Sequence, residues 1–493
     1  MICTKSGVNR SLRTAVGTVR LAIGVQQCKG TFSRDGPFSM QFFVLLVIFA
    51  LMVAGLMRPF VGLLALLIVM ELQPGELYPS LAPLHLERIA ALLLLISFLI
   101  HGEKWRFPAP TRWFLAFYGA MVVSIPLAFW RTNSIASCFS FLETVVYVLF
   151  ATALLTTEAR IRSFILTEIL LVAWLGGSAL YNYHRGIWLV RMNIERAVGI
   201  TSSAGDPDTL AATLLLSIPL CLALMARGNP GWMRWIGVGT ICMALVTILD
   251  TGSRGAALGV VFLVAILIFR KRKNLIFLPI VVALGPVIWL AIPAQYKARY
   301  ETVDHLKGDA SYQVRILSWE GGIAMFEHNP LTGVGAGNYT YANGNGYWPG
   351  PRHRFYLNAH SLYFKLLGEL GLIGIIAFGS YTLCVFRLNM KLRRQLLEMH
   401  ESQFLTELPA LLNIIFLQLF FAGYASHNLY RLTWFVVGAI SGSISLLPAL
   451  QHAPESAEVL NDKGDSASRA GSDWSPALLP ELRARLGAST NPS

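Results

Sequence analysis

ALLLLISFLI-HGEKWRFPAP-TRWFLAFYGAMVVSIPLAFW, residues 91–130, sets two apolar runs on either side of a short polar link. Each run belongs to a stretch about long enough to cross a hydrocarbon core of roughly 30 Å. Lipid offers no water to an exposed peptide group, so such runs must be helical. The link carries Lys104, Arg106 and Arg112. The same alternation continues in both directions. Candidate spans fall near 41–57, 59–72, 87–101, 112–130, 137–155, 163–181, 209–226, 233–250, 255–270, 274–293, 360–386, 405–424 and 429–447. The expected fold is therefore all-α, a polytopic membrane bundle of about 12–13 helices. The second run is short and need not be an independent crossing.

Working outward, the basic links set the orientation. Arg160 and Arg162, then Arg227 and Arg234, then Arg270–Lys273, then Arg387–Arg394 fall two spans apart. One topology makes all of them cytoplasmic. The segments 131–136, 182–208, 251–254, 294–359 and 425–431 then face outward, which in a bacterium is the periplasm. The chain reads as three parts: an extension at 1–40, a membrane domain at 41–450 with a large outer loop at 295–358 that contains short helices, and a tail at 451–493. The tail is rich in Ala, Ser and Pro with mixed charge and is expected to be a disordered cytoplasmic end. The basic extension fits the topology poorly if 41–57 and 59–72 are two crossings, and a start at Met40 is the preferred account. Residues 15–25 are too short and polar for a signal peptide.

Composition agrees with the spans. The 493 residues are 55% hydrophobic and 14% charged, against about 25% charged in soluble proteins. Mean hydropathy is +0.55. The net charge of +13 sits in the links between spans, so it marks topology rather than nucleic-acid binding. None of the six cysteines falls in the large loop, which argues against a disulfide framework or a cysteine metal site there.

The outer segments hold the polar chemistry. QVRILSWEGGIAMFE (313–327) places Ile316, Trp319, Ile323 and Phe326 at helical spacing, an amphipathic helix suited to lying on the membrane or on the bundle. Arg315, one turn before Trp319, is either an interface anchor or a ligand for an anion. NPLTGVGAGNY (329–339) lacks the spacing of a nucleotide loop. Its glycines read as a tight turn with close backbone approach. His360 stands where the chain re-enters the membrane, with Tyr363, Phe364 and Leu367 following on one stripe. It is either a structural hydrogen bonder or a base that titrates near neutral pH. Arg254 opens another span, and Arg352, His353, Arg354 and Arg196 lie in outer segments. Guanidinium groups bind phosphate bidentately and stay charged. Glu143 and Glu168 lie in apolar runs, where they could line a cavity; the sequence gives them no role.

Together these stretches resemble the O-antigen ligase and polymerase family of bacterial membrane glycosyltransferases. Gly-Ser-Arg-Gly (252–255), Arg315-x3-Trp319 with the glycine-rich stretch 329–339, and His360-Ser-Leu-Tyr363 with Gly368-Glu-Leu-Gly371 carry the likeness. Gly205-Asp-Pro-Asp-Thr-Leu-Ala211 adds to it but has Asp208 where Asn is expected. The motifs cover roughly residues 200–375, and the earlier spans match only in hydropathy.

The resemblance implies a glycan donor on undecaprenyl diphosphate, used at the periplasmic face of the inner membrane. The glycan passes to an acceptor hydroxyl with inversion, without metal, nucleotide or other cofactor. His360 would activate the acceptor, while Arg254 and Arg315 hold the diphosphate. Arg196, Arg354, Tyr363 and Trp319 are expected to bind substrate. The acceptor would be lipid A–core sugar, a further repeat unit or a protein hydroxyl, and a ligase-like role is adopted. A transporter or flippase of an envelope precursor is the alternative of another class; it would need Glu143 and Glu168 to converge.

Overall fold

The computed structural model describes residues 27–29, 38–191, 194–201, 205–270, 272–279, 283, 310–350, 356–426 and 428–451. Residues Met1–Leu446 form one compact unit and Leu447–Ser493 another. In the second, the described part is a short helix at Pro448–Gln451.

The first unit is helical. Its helices are α1 Phe38–Met57, α2 Pro59–Leu72, α3 Pro74–Leu77, α4 Leu86–Ile100, α5 Ala109–Val123, α6 Arg131–Leu154, α7 Glu158–His184, α8 Pro207–Leu224, α9 Gly231–Asp250 and α10 Arg254–Phe269. After a gap follow α11 Ala310–His328, α12 Tyr339–Asn345, α13 Leu362–Glu398, α14 Gln403–Gly423 and α15 Leu432–Ser445. Among the described residues, eight helices are long and apolar enough to cross a membrane, and three shorter apolar helices accompany them. Each expected span up to residue 270, and each beyond 360, overlaps one of the helices α1–α15; the span expected at 112–130 is met by α5 only as far as Val123, and α5 is not among those eleven. The span expected at 274–293 lies mostly outside the described residues, as do the extension up to residue 26, loop residues 295–309 and the tail from 452.

Two features depart from the expected outline. Arg387–Arg394 was expected to be a loop; instead the part of α13 that follows Gly371 runs on through it as helix to Glu398. The segment at 182–208, expected to face outward, holds two strands among its described residues. Strands Trp188–Arg191 and Ile194–Arg196 pair antiparallel, with Leu189 opposite Arg196, and Gln27–Lys29 pairs on the outer edge of the first.

The centre of the bundle is aromatic. Phe114 and Phe117 of α5, Tyr381 of α13, and Trp434 and Phe435 of α15 are at most 1% exposed. Phe114 and Phe435 lie 4.7 Å apart by ring centroid, and the Tyr381 hydroxyl donates to the Trp434 carbonyl at 2.7 Å. A core of this kind fixes where each helix ends, and the ends fall into two groups. At one, Ser402 donates to Glu158 at 2.8 Å, Arg162 pairs with the same carboxylate, the Arg227 amide donates to Gln403, and Arg270 pairs with Glu407. These are the links that the basic residues assign to one side. The opposite end gathers residues 124–138, 194–201, 205–208, 250–254, 318–339, 358–371, 420–426 and 428–430, and carries the polar site.

Candidate active site

The site is built around a broken helix. Within α13, Gly371 has φ 54° and ψ −150°, a combination open essentially only to glycine. The break frees backbone groups on both sides, and each orphan in an apolar setting would cost several kcal/mol. The glycine-rich turn at 329–337 supplies the partners. The amides of Val334 and Gly335 donate to the carbonyls of Gly368 and Glu369 at 2.8 and 2.9 Å. In return, the amides of Leu372 and Ile373 donate to the carbonyls of Pro330 and Leu331 at 2.9 and 3.1 Å. This exchange demands contact between backbones: a Cβ on Gly333 would fall 2.4 Å from the Glu369 carbonyl carbon, and one on Gly371 2.7 Å from the Pro330 oxygen. The sequence reading of these glycines as a tight turn agrees with this geometry.

Glu369 holds the same assembly from within. It is 1% exposed and accepts from the Gly337 amide at 3.0 Å, the Tyr339 amide at 3.2 Å and the Tyr430 hydroxyl at 2.6 Å. Lys365 Nζ stands 4.0 Å away. Burial, and then the charge of Glu369, push the Tyr430 phenol well above its ordinary range, so it remains a donor. Burial does the same to Tyr339, whose hydroxyl donates to the Ser318 carbonyl at 2.6 Å. Asn338 ties the turn to α6 through bonds to the Trp130 carbonyl, the Ser134 hydroxyl and Asn133. Sequence reasoning quoted Glu369 and Asn338 inside motifs but gave them no role. The available signal was a lone carboxylate between two glycines at the start of an apolar run.

α11 packs on this assembly. Its buried face is Ser318, Gly321, Gly322 and Met325, one residue out of register with the expected apolar stripe, and Ile323 is 41% exposed. Small residues win the inner face because the helix lies close: a Cβ on Gly322 would meet the Tyr339 hydroxyl at 2.5 Å. Two side chains of α11 then grip the strand before α13. Ser318 donates to the Asn358 carbonyl at 2.9 Å, and the Trp319 indole N–H donates to the Ala359 carbonyl at 2.9 Å. The indole also stacks on Phe364 at 5.0 Å and 11°. Trp319, expected to bind substrate, is occupied in placing the residue that follows Ala359.

That residue is His360. It has φ 46°, the left-handed region that costs a non-glycine residue about 1–3 kcal/mol and persists only where its surroundings impose it. His360 precedes Ser361, the N-cap of α13, so it stands just outside the helix rather than beginning its stripe. Arg315 lies on α11 one turn before Trp319 and is partly buried. Tyr363 is 45% exposed and donates to the Phe420 carbonyl at 2.9 Å.

The second part of the site is the start of α10. Arg254 is its first residue, after the N-cap Ser253, whose hydroxyl accepts from the Ala256 amide. A cation there opposes the helix dipole, and a cation beside free amides suits an anion. Arg196 fixes this corner. It is fully buried, donates to the Thr251 carbonyl at 2.5 Å and pairs with Asp208 at 2.8 Å. Asp208, the departure from the expected pattern, is thus the partner of a buried guanidinium. One Arg196 nitrogen, Nη1, is buried without a partner among the described residues.

Both parts flank the end of α14. Phe421 stacks on Phe262 of α10 at 4.5 Å, Phe420 accepts from Tyr363, and Tyr424 packs edge-on against Trp319 at 5.5 Å. Arg354 lies outside the described residues. The two carboxylates of the apolar runs have different neighbours: Glu143 faces Arg88 at 3.8 Å, and Glu168 interacts with Glu71.

Residues 238–379 match the family model described as O-antigen ligase. This stretch contains Arg254, α11, the glycine-rich turn, His360 and the break at Gly371, and the likeness read from the motifs is borne out over it. No curated protein matches the chain.

Proposed function

With an O-antigen ligase segment spanning the site of this multi-pass membrane protein, we propose that the chain transfers a glycan from undecaprenyl diphosphate to an acceptor hydroxyl at the outer face of a bacterial inner membrane. The observation that carries this reading is the strained backbone at His360, gripped through Ala359 by the helix that bears Arg315. Strain of this kind is held where a side chain must point in one direction.

In the reaction the acceptor oxygen attacks the anomeric carbon from the face opposite the leaving group. The new C–O bond forms as the bond from the anomeric carbon to the diphosphate oxygen breaks, so the configuration inverts. The hydroxyl proton passes to the His360 imidazole. The bonding pair leaves with the diphosphate, whose charge Arg254 and Arg315 offset. Proton transfer by a positioned base is worth about 10²–10⁴-fold, and fixed cations in a water-poor site contribute several kcal/mol more. Arg196 acts at one remove, holding the backbone that precedes Arg254.

The ligase reading is preferred to polymerase or protein transfer because the family description names a ligase. The test uses the full chain in vesicles with an undecaprenyl-diphosphate glycan and an isolated lipid A–core acceptor. His360→Ala should lower transfer at least about 100-fold with membrane insertion and donor binding unchanged; unaltered transfer overturns the role of His360. A deletion strain separates the acceptors. Long chains left on the lipid carrier indicate a missing ligase, and single repeats a missing polymerase.

A further inference from the structure

A cleft of about 560 Å³ opens between α2, α3, α4 and α6. It lies on the face of α6 that bears Phe139, Leu142, Glu143 and Val146, whereas Asn133 and Ser134 of the same helix hold the glycine-rich turn. Its size falls within the range of about 300–1,000 Å³ usual for small-molecule sites. The inner wall is apolar, and the rim carries Glu76, Glu87, Arg88 and Glu143.

The position of Glu143 within an apolar run is the first pointer to a ligand. Arg88 Nε and Glu143 Oε1 are 3.8 Å apart, with side chains 58% and 48% exposed. Glu143 lies near the middle of α6, about 16–18 Å from either end at 1.5 Å per residue. A charge at such a position is costly unless it faces a polar cavity or pathway. The second pointer is the preformed roof. Residues 74–84 hold Pro74, Pro79 and Pro83, and Gln73 and His85 at its two ends have φ 46° and 45°.

Charge and shape then select the occupant. The lining holds three carboxylates against one guanidinium and the His85 imidazole, which stands 3.6 Å from Glu87; this acidic balance disfavours phosphate and sets the cleft apart from the arginine-bearing site. Carboxylate oxygens accept hydrogen bonds from hydroxyls. Phe139, 62% exposed, offers a ring face to the C–H side of a sugar. The apolar wall along α2 and α6 suits an alkyl chain. We infer that this cleft is a second amphiphile site, which takes a glycosyl headgroup without anionic charge and the alkyl chain attached to it. It does not depend on the transfer reaction proposed above.

The test uses the full chain in phosphatidylcholine nanodiscs and an alkyl glucoside with a diazirine in its chain. After irradiation, peptide mapping should find the label concentrated in residues 66–91 and 139–146. Excess octyl glucoside should lower that labelling at least fivefold, while octyl phosphate and free glucose should not. Val146→Trp, which fills the wall, should lower it by a similar factor, whereas Leu258→Trp on the exposed face of α10 should leave it unchanged. Label spread evenly over lipid-facing helices overturns the inference. So does octyl phosphate competing as well as octyl glucoside, a result that needs no variant and is independent of folding. Competition by glucose alone would show a free-sugar site and would overturn the amphiphile reading.

Discussion

His360 holds a left-handed backbone beside a helix start, a conformation that glycine adopts freely and alanine does not. This separates the backbone's contribution from the imidazole's. His360→Gly and His360→Ala should both lose transfer, yet the glycine variant should be the more stable of the two by about 1–2 kcal/mol. Thermal unfolding followed by tryptophan fluorescence reads the difference; equal stabilities would show that no strain is stored there. Arg196 poses a different problem, since its side chain is fully buried and Asp208 is half exposed. Asp208→Ala leaves the guanidinium without its counter-charge. With the exposed carboxylate discounted for screening, the expected loss is about 1–3 kcal/mol. Asp208→Asn, which keeps an acceptor, should lose less, and an equal loss would place the effect elsewhere. The sequence marked His360 just past the end of the large loop, Arg315 on the amphipathic stretch within it and Arg254 at the start of another span. It marked Asp208 only as a departure from the family pattern, because a buried partner twelve residues away leaves no pattern in the chain.

At the scale of elements, the unit that matters is the turn at 329–337 stitched into the break of α13. Most span positions could be read from hydropathy, since lipid forces long apolar runs into helices. The break could not. Residues 362–386 read as one apolar run, and glycine is common in membrane helices; only the inserted turn shows that Gly371 ends one helix and begins another. The face of α11 was misread for a related reason: close approach rewarded Gly321 and Gly322 over the larger apolar residues. Gly371→Ala would force a Cβ against the Pro330 carbonyl and a left-handed backbone on alanine. A loss of about 2–4 kcal/mol is expected, with protease cleavage near 329–337 as the local readout. Protection equal to the native chain would argue against the stitched break. Trp319→Phe should keep the stack on Phe364 and lose only the bond to Ala359, about 1 kcal/mol. Its transfer rate should fall more than its donor affinity.

The whole molecule has two unlike ends. One is laced by Glu158, Ser402, Gln403 and Glu407 with arginines, and the other gathers the polar site. The spacing of the basic links made this division readable, since positive charge is retained on the cytoplasmic side. In a cysteine-free background, Tyr341→Cys and Leu397→Cys, both at exposed positions, report the two ends. A membrane-impermeant maleimide should label residue 341 in cells with a permeabilised outer membrane, and residue 397 only after lysis. The reverse pattern would invert the topology and place the site in the cytoplasm.

The stitched break also orders events during synthesis. The turn at 329–337 leaves the ribosome before the helix that needs it, and α13 reaches its break before its carbonyls and amides can be matched anywhere else. Until the two meet, α13 offers the lipid unpaired peptide groups about a quarter of the way along its length. Its release from the insertion machinery should therefore wait for the loop to fold back. The loop then serves as a chaperone for its own membrane helix.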